Sequence, residues 1–100
     1  MYDMANIKKL KVLKELAPDG MAAFAAFDAA AMREGAIPAK YKELMAVAVA
    51  LTTQCPYCVE IHAKKARAAG CTDEELAEAG LVAAALRAGA AITHATHCVG

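Results

Sequence analysis

The segment Cys55-Pro56-Tyr57-Cys58, followed by His62, carries the residue types with the most chemistry in them. Two thiols three residues apart across a helix start can close a small disulfide ring with little rearrangement. Proline is well tolerated in the first turn of a helix, so Pro56 puts Cys55 at the N-cap, next to the roughly +0.5 charge of the helix N-terminus. In comparable motifs the thiol pKa falls from about 8.5 to roughly 3.5–7.5, which gives thiolate at neutral pH. His62 lies four residues after Cys58 and seven after Cys55, so one helix face presents all three side chains. The imidazole can then take or return a proton for a thiol. The helix start favours Cys55 as the attacking sulfur and the i, i+4 imidazole favours Cys58.

The same atoms also permit a metal reading. Cys55, Cys58 and His62 offer two sulfurs and a nitrogen, and a structural zinc needs a fourth ligand, for which Glu43, His94, His97 and Cys98 are candidates. A second ligand pair at zinc-site spacing is missing, so no metal is assigned. Cys71, just after Gly70, has no partner cysteine nearby and reads as a loop residue or small hydrophobe. His94, His97 and Cys98 lie in a tail whose order the sequence does not fix.

Helices must position these groups. The chain is alanine-rich and poor in β-branched residues, and no stretch alternates at strand period, so the expected fold is all-α with about five helices. A first helix is predicted from about Ile7 to Leu16, stopped by Pro18. A second, capped by Asp19, runs to about Glu34 with Phe24, Phe27 and Ala31 on its apolar face. Pro38 suits the first turn of a third helix carrying Tyr41, Leu44, Met45, Val47, Ala48 and Leu51, which is apolar on every side beyond Glu43 and is expected to be buried. The fourth continues from Pro56 to about Ala69. Thr72 with Glu75 forms a capping-box pattern, so a last helix starts at Asp73 and passes Arg87, with Gly80 and Gly89 expected to loosen it.

Composition narrows the function. One hundred residues suit one domain, and 59% hydrophobic against 22% charged residues excludes a disordered chain. Lys plus Arg and Asp plus Glu are each 11, so no basic field is available for nucleic acid, and five aromatic residues offer little stacking for unpaired bases. The longest unbroken apolar run, Leu44 to Leu51, is well short of the roughly 20 residues of a membrane span. The N-terminal lysines are not followed by an export signal, so a cytoplasmic setting with reduced thiols is expected. So apolar a chain of this length has too few polar side chains to cover its surface, and a homo-oligomer is expected.

From about Ile37 to Glu78 the chain resembles the carboxymuconolactone decarboxylase superfamily and, within it, the alkylhydroperoxidase AhpD-like branch. The match is carried by Glu43 twelve residues before Cys55, the Cys55-Pro56-Tyr57-Cys58 motif, His62, and the Gly70, Thr72, Glu75 pattern. Periodicity alone reads Glu43 as a solvated acid near a helix start, whereas the resemblance makes it a site residue. It implies an all-helical trimer or hexamer and a redox dithiol served by Glu43 and His62 in a proton relay. It also implies a small peroxide or disulfide substrate, a thiol reductant or redox partner protein, and no organic cofactor. With this relay the attacking thiol is read as Cys58. Tyr57 stands where the best-known peroxidase of the branch has histidine, so disulfide exchange transfers more directly than peroxide turnover. The other readings are a lactone decarboxylase of the same superfamily, whose members generally lack the cysteine pair, and a non-enzymatic metal-binding helical oligomer.

Overall fold

Good helix formers dominate the sequence, and helix is what they form. The computed structural model describes residues 2–100, and no strand occurs among them. A 3-10 helix, Met4–Lys9, leads into α1 (Leu10–Leu16), followed by α2 (Pro18–Met32), α3 (Ala39–Thr53), α4 (Pro56–Ala68), α5 (Asp73–Ala95) and a closing 3-10 turn, Thr96–Cys98. The expected all-α fold is therefore found. Its tail is ordered as the end of α5 and that short turn.

The elements differ from the sequence reading in detail: Ile7 lies in the 3-10 helix, so α1 begins only at Leu10, and α2 ends at Met32, short of Glu34. Helix α2 begins at Pro18 with Ala17 as N-cap, so Asp19 lies inside the first turn, where its charge complements the helix N-terminus without capping it. Pro38 is itself the N-cap of α3, and Glu34 Oε1 accepts a 2.7 Å hydrogen bond from the Ala39 N–H that Pro38 cannot cap with a side chain. Gly80 and Gly89 leave α5 unbroken, because a helix this long tolerates isolated glycines.

Helix α3 is the hub. It packs on α4 and α5, while α1 and α2 form an arm joined to it mainly at the α2–α3 turn. There Lys42 Nζ donates to the carbonyls of Ala31 and Arg33 at 2.9 and 2.6 Å, satisfying orphan acceptors at the end of α2. Arg87 of α5 does the same for the Thr52 carbonyl near the end of α3. Cys71 is buried at the α4–α5 turn, its thiol set toward the Lys40 carbonyl at 3.6 Å, and burial, then Glu75, pushes its pKa up. It is a packing residue.

The core is small: Val47, Ala50, Ala66, Cys71 and Ala83 are the buried apolar residues. Helix α3, expected to be buried on all sides, buries only Val47 and Ala50 and leaves Tyr41, Met45, Val49 and Leu51 exposed. Phe24 and Phe27 of α2 are likewise open, as are Leu81, Val82, Leu86 and Ile92 of α5. A radius of gyration of 16.6 Å, against the ~13 Å of a closed globule of this length, has the same origin. By length and composition alone, Asp73–Cys98 is apolar enough to cross a membrane, with a mean hydropathy of 1.4. Much of that apolarity is alanine, and α5 packs one side on α3 while its acidic start is fixed at the α4–α5 turn.

That start is a complete capping box: Thr72 Oγ1 accepts from Glu75 N at 3.1 Å, and Thr72 N donates to Glu75 Oε1 at 2.9 Å. The bond from the Thr72 backbone, aided by Lys40 at 3.5 Å, holds the Glu75 carboxyl below its ordinary pKa. A carboxylate depressed in the folded state stabilises above its unfolded pKa, and that contribution is lost as pH falls through the folded value. Thr72→Ala is therefore expected to lower stability by about 1 kcal/mol in urea unfolding at neutral pH. The acid-sensitive part belongs to the Glu75 carboxylate, which keeps its bond to the residue-72 N–H in that variant, so it is Glu75→Gln whose deficit should narrow on acidification.

Candidate active site

The reversal between α3 and α4 sets the site. Gln54 adopts the left-handed conformation, φ 57° and ψ 46°, closing α3 and turning the chain so that Cys55 enters extended, at φ −99° and ψ 97°. Cys55 is the N-cap of α4, as the sequence predicts, and its sulfur accepts from the Cys58 N–H at 3.3 Å. Pro56 fills the first helical position. Cys55 and Cys58 are disulfide-bonded, with their Cα atoms 5.3 Å apart, inside the ordinary range for such a bridge.

One turn further along α4, His62 meets Glu43 of α3. The Nδ1 to Oε2 distance is 2.7 Å, with the histidine side chain 19% and the glutamate 14% exposed. A carboxylate can only accept, so Nδ1 donates, and in the neutral tautomer this leaves Nε2 with the lone pair, the position for a base. The pair spans 19 residues of sequence and is formed because α3 and α4 pack along each other. Glu43 is thus a partner of His62 and no isolated surface acid.

Cys58 and His62 line one cavity of about 380 Å³, within the range of small-molecule sites. Its walls are mostly apolar, from Met32 and Ile37 on the arm side to Met45, Val49 and Ala50 of α3, and Asp28 and Lys42 add charge. These wall residues were invisible to sequence reasoning because they depend on where α2 is carried. The apolar positions on α3 were legible, but not that they would face a cavity.

Tyr57 takes no part in the pairing of Glu43 with His62. Its hydroxyl accepts from Asp3 N at 3.3 Å and Asn6 Nδ2 at 3.1 Å, and its ring meets that of Tyr2 edge-on at 5.0 Å. It therefore anchors the N-terminal segment to α4. His94 and His97 have their rings 6.0 Å apart, with His94 Nδ1 bonded to the Ala90 carbonyl, and with Cys98 they remain exposed at the end of α5. Among the described residues no three His, Cys, Asp or Glu side chains are grouped to hold a metal ion.

The profile of the carboxymuconolactone decarboxylase family matches residues 18–99. A Paracoccus denitrificans chain described as "uncharacterized protein 4 in cox locus" is 44% identical over 98 residues, covering 95% of this chain and 88% of that one. An uncharacterized Cupriavidus necator protein is 38% identical over 71 residues, covering 71% of this chain and 63% of its own length. Among solved structures, a Methanobacterium thermoautotrophicum protein superposes with a TM-score of 0.83 at 36% identity, over 88% of this chain and 99% of that one. A carboxymuconolactone decarboxylase family protein from Legionella pneumophila gives 0.78 at 31% identity, over 90% and 80%.

Proposed function

The chain belongs to the carboxymuconolactone decarboxylase family, and from that premise we propose that it is a thiol–disulfide oxidoreductase of the alkylhydroperoxidase AhpD-like branch. One observation carries the reading: a Glu43–His62 pair, with Nε2 left as a base, shares an apolar cavity with one sulfur of a Cys55–Cys58 disulfide. Family membership alone does not separate redox chemistry from decarboxylation, and the dithiol beside that pair favours the former.

In the reduced state His62 Nε2 takes the Cys58 proton, and Glu43 stabilises the imidazolium through Nδ1. The Cys58 thiolate attacks the distal oxygen of a hydroperoxide; the O–O bond breaks, the imidazolium proton goes to the leaving alkoxide, and Cys58 becomes a sulfenic acid. The Cys55 thiol then attacks the Cys58 sulfur, forming the disulfide and releasing water. With a disulfide substrate, Cys58 forms a mixed disulfide and expels one thiol, and Cys55 expels the other. In both cases the protein gives up two electrons, which two external thiol groups return on forming a disulfide. A cytoplasmic setting supplies such thiols.

We assign Cys58 the attacking role because it lines the same cavity as His62, whereas Cys55 does not. His62→Ala and Glu43→Gln are each expected to slow turnover of peroxide or disulfide by roughly 10² to 10⁴. The double variant should be little worse than either single one, since groups acting in one chain lose most of their effect with the first deletion. Additive losses, or near-normal turnover in both single variants, would contradict the relay.

The assembly proposed is a homotrimer or homohexamer. Leu86 and Ile92 of α5 are 68% and 72% exposed and Phe27 of α2 is 71% exposed, large apolar side chains left in water by a single chain. A second copy of the chain covers these faces most simply. Light scattering at micromolar concentration is expected to report three or six chains, and a monodisperse monomer would contradict it.

A further inference from the structure

The two cysteines of the disulfide line different surfaces. Cys58 faces the apolar cavity with His62, while Cys55 lines a separate recess of about 870 Å³ with Gln54, Glu60, Lys64 and Arg67. Ala50 borders both, so the small side chain of α3 is the partition between them. The size of the recess is that of a small-molecule site.

The N-terminal segment adds one residue to a recess otherwise lined by α3, α4 and the turn between them. Tyr2 lines the recess, held by its ring contact with Tyr57, while Asp3 and Asn6 bond the Tyr57 hydroxyl. Cys55 is half-buried on this open recess, where a small thiol has access to it. The recess also has a charge sign. The Glu60 side chain bonds the Tyr2 hydroxyl, whose pKa burial and then Glu60 push up. Arg67 is 3.7 Å from Asp73, an exposed and therefore weak pair. Lys64 is in no ion pair among the described residues. Among the lining side chains two cations stand against one carboxylate, while Asp73, beside Arg67, lies outside the lining.

We propose that this recess is where the reductant approaches, and that the reductant is a low-molecular-weight thiol carrying negative charge near its sulfur. This deepens the oxidoreductase reading and rests on it. The thiolate attacks the Cys55 sulfur, the Cys55–Cys58 bond breaks, and Cys58 leaves as a thiolate on the His62 side. A second molecule of the thiol then attacks the sulfur of the first, forming its disulfide and releasing Cys55. Two thiols are oxidised to one disulfide, the protein dithiol is restored, and two protons are left on the protein thiols or in solvent.

The test uses the full oxidised chain and three probes: 3-mercaptopropionate (anionic), 2-mercaptoethanol (neutral) and cysteamine (cationic). Each rate of disulfide reduction is normalised to the same thiol's rate with a small neutral disulfide, which removes differences in nucleophilicity. At low ionic strength the anionic thiol is expected to be favoured over the cationic one by roughly tenfold. The preference should collapse in about 0.5 M salt and be lost or inverted in Lys64→Glu, an exposed change. Acid-quenched intermediates should carry the probe on Cys55. Equal rates, a preference for cysteamine, a probe on Cys58, or faster reduction by a thioredoxin-type protein dithiol at equal thiol concentration would each overturn the proposal. A chain that shows the charge preference, yet whose dithiol reduces no peroxide or disulfide, upholds the recess and contradicts the oxidoreductase reading instead.

Discussion

The hydrogen bond between Glu43 and His62 ties the structure to its chemistry. It crosses the interface of α3 and α4 and, in the neutral ring, sets the proton on Nδ1 of a histidine that lines the same cavity as Cys58. Formation of this bond requires a sharp reversal after α3, supplied by the left-handed Gln54, and the close packing allowed by Ala50 and Ala66. The remaining elements serve that geometry. Lys42, the next residue before Glu43, ties the end of α2 to α3, and Arg87 ties α5 to the other end of the same helix.

A disulfide at a helix start has two unequal sulfurs, and this fold separates them further. Cys55 accepts the Cys58 N–H as N-cap and opens to a charged recess, while Cys58 opens to an apolar cavity beside a base. On the proposed reading, such a division gives the oxidant access to the Cys58 thiolate and the reductant access to the Cys55 sulfur through different spaces. The partition is thin because α3 carries alanine at position 50, where a larger side chain would fill one space or the other.

Local signals were legible in the sequence and long-range ones were not. The Cys55 cap, the Pro56 start and the Thr72–Glu75 box are set by residues within one turn of each other, and all three stand as read. Glu43 is different: its partner is 19 residues away on another helix, so periodicity reads it as a solvated acid, and the pairing with His62 follows only from the family resemblance. The all-round apolar α3 was read as buried because hydrophobicity reports what must leave water and not which chain covers it. Met45 and Val49 instead line a cavity or face solvent in a single chain. Tyr57 looked like a missing relay histidine, and its hydroxyl is occupied by the N-terminal segment, a contact between residues more than 50 apart.

The central claim is that Glu43 and His62 act on Cys58 and not on Cys55. The most direct test is alkylation of the reduced chain across a pH series, resolved by peptide for wild type, His62→Ala and Glu43→Gln. The account predicts that the midpoint for Cys58 lies below the ordinary thiol value of about 8.5 and rises in both variants, because a nearby imidazolium favours the thiolate, while the Cys55 midpoint stays in place. A Cys58 profile unchanged in both variants, or a shift confined to Cys55, would contradict it.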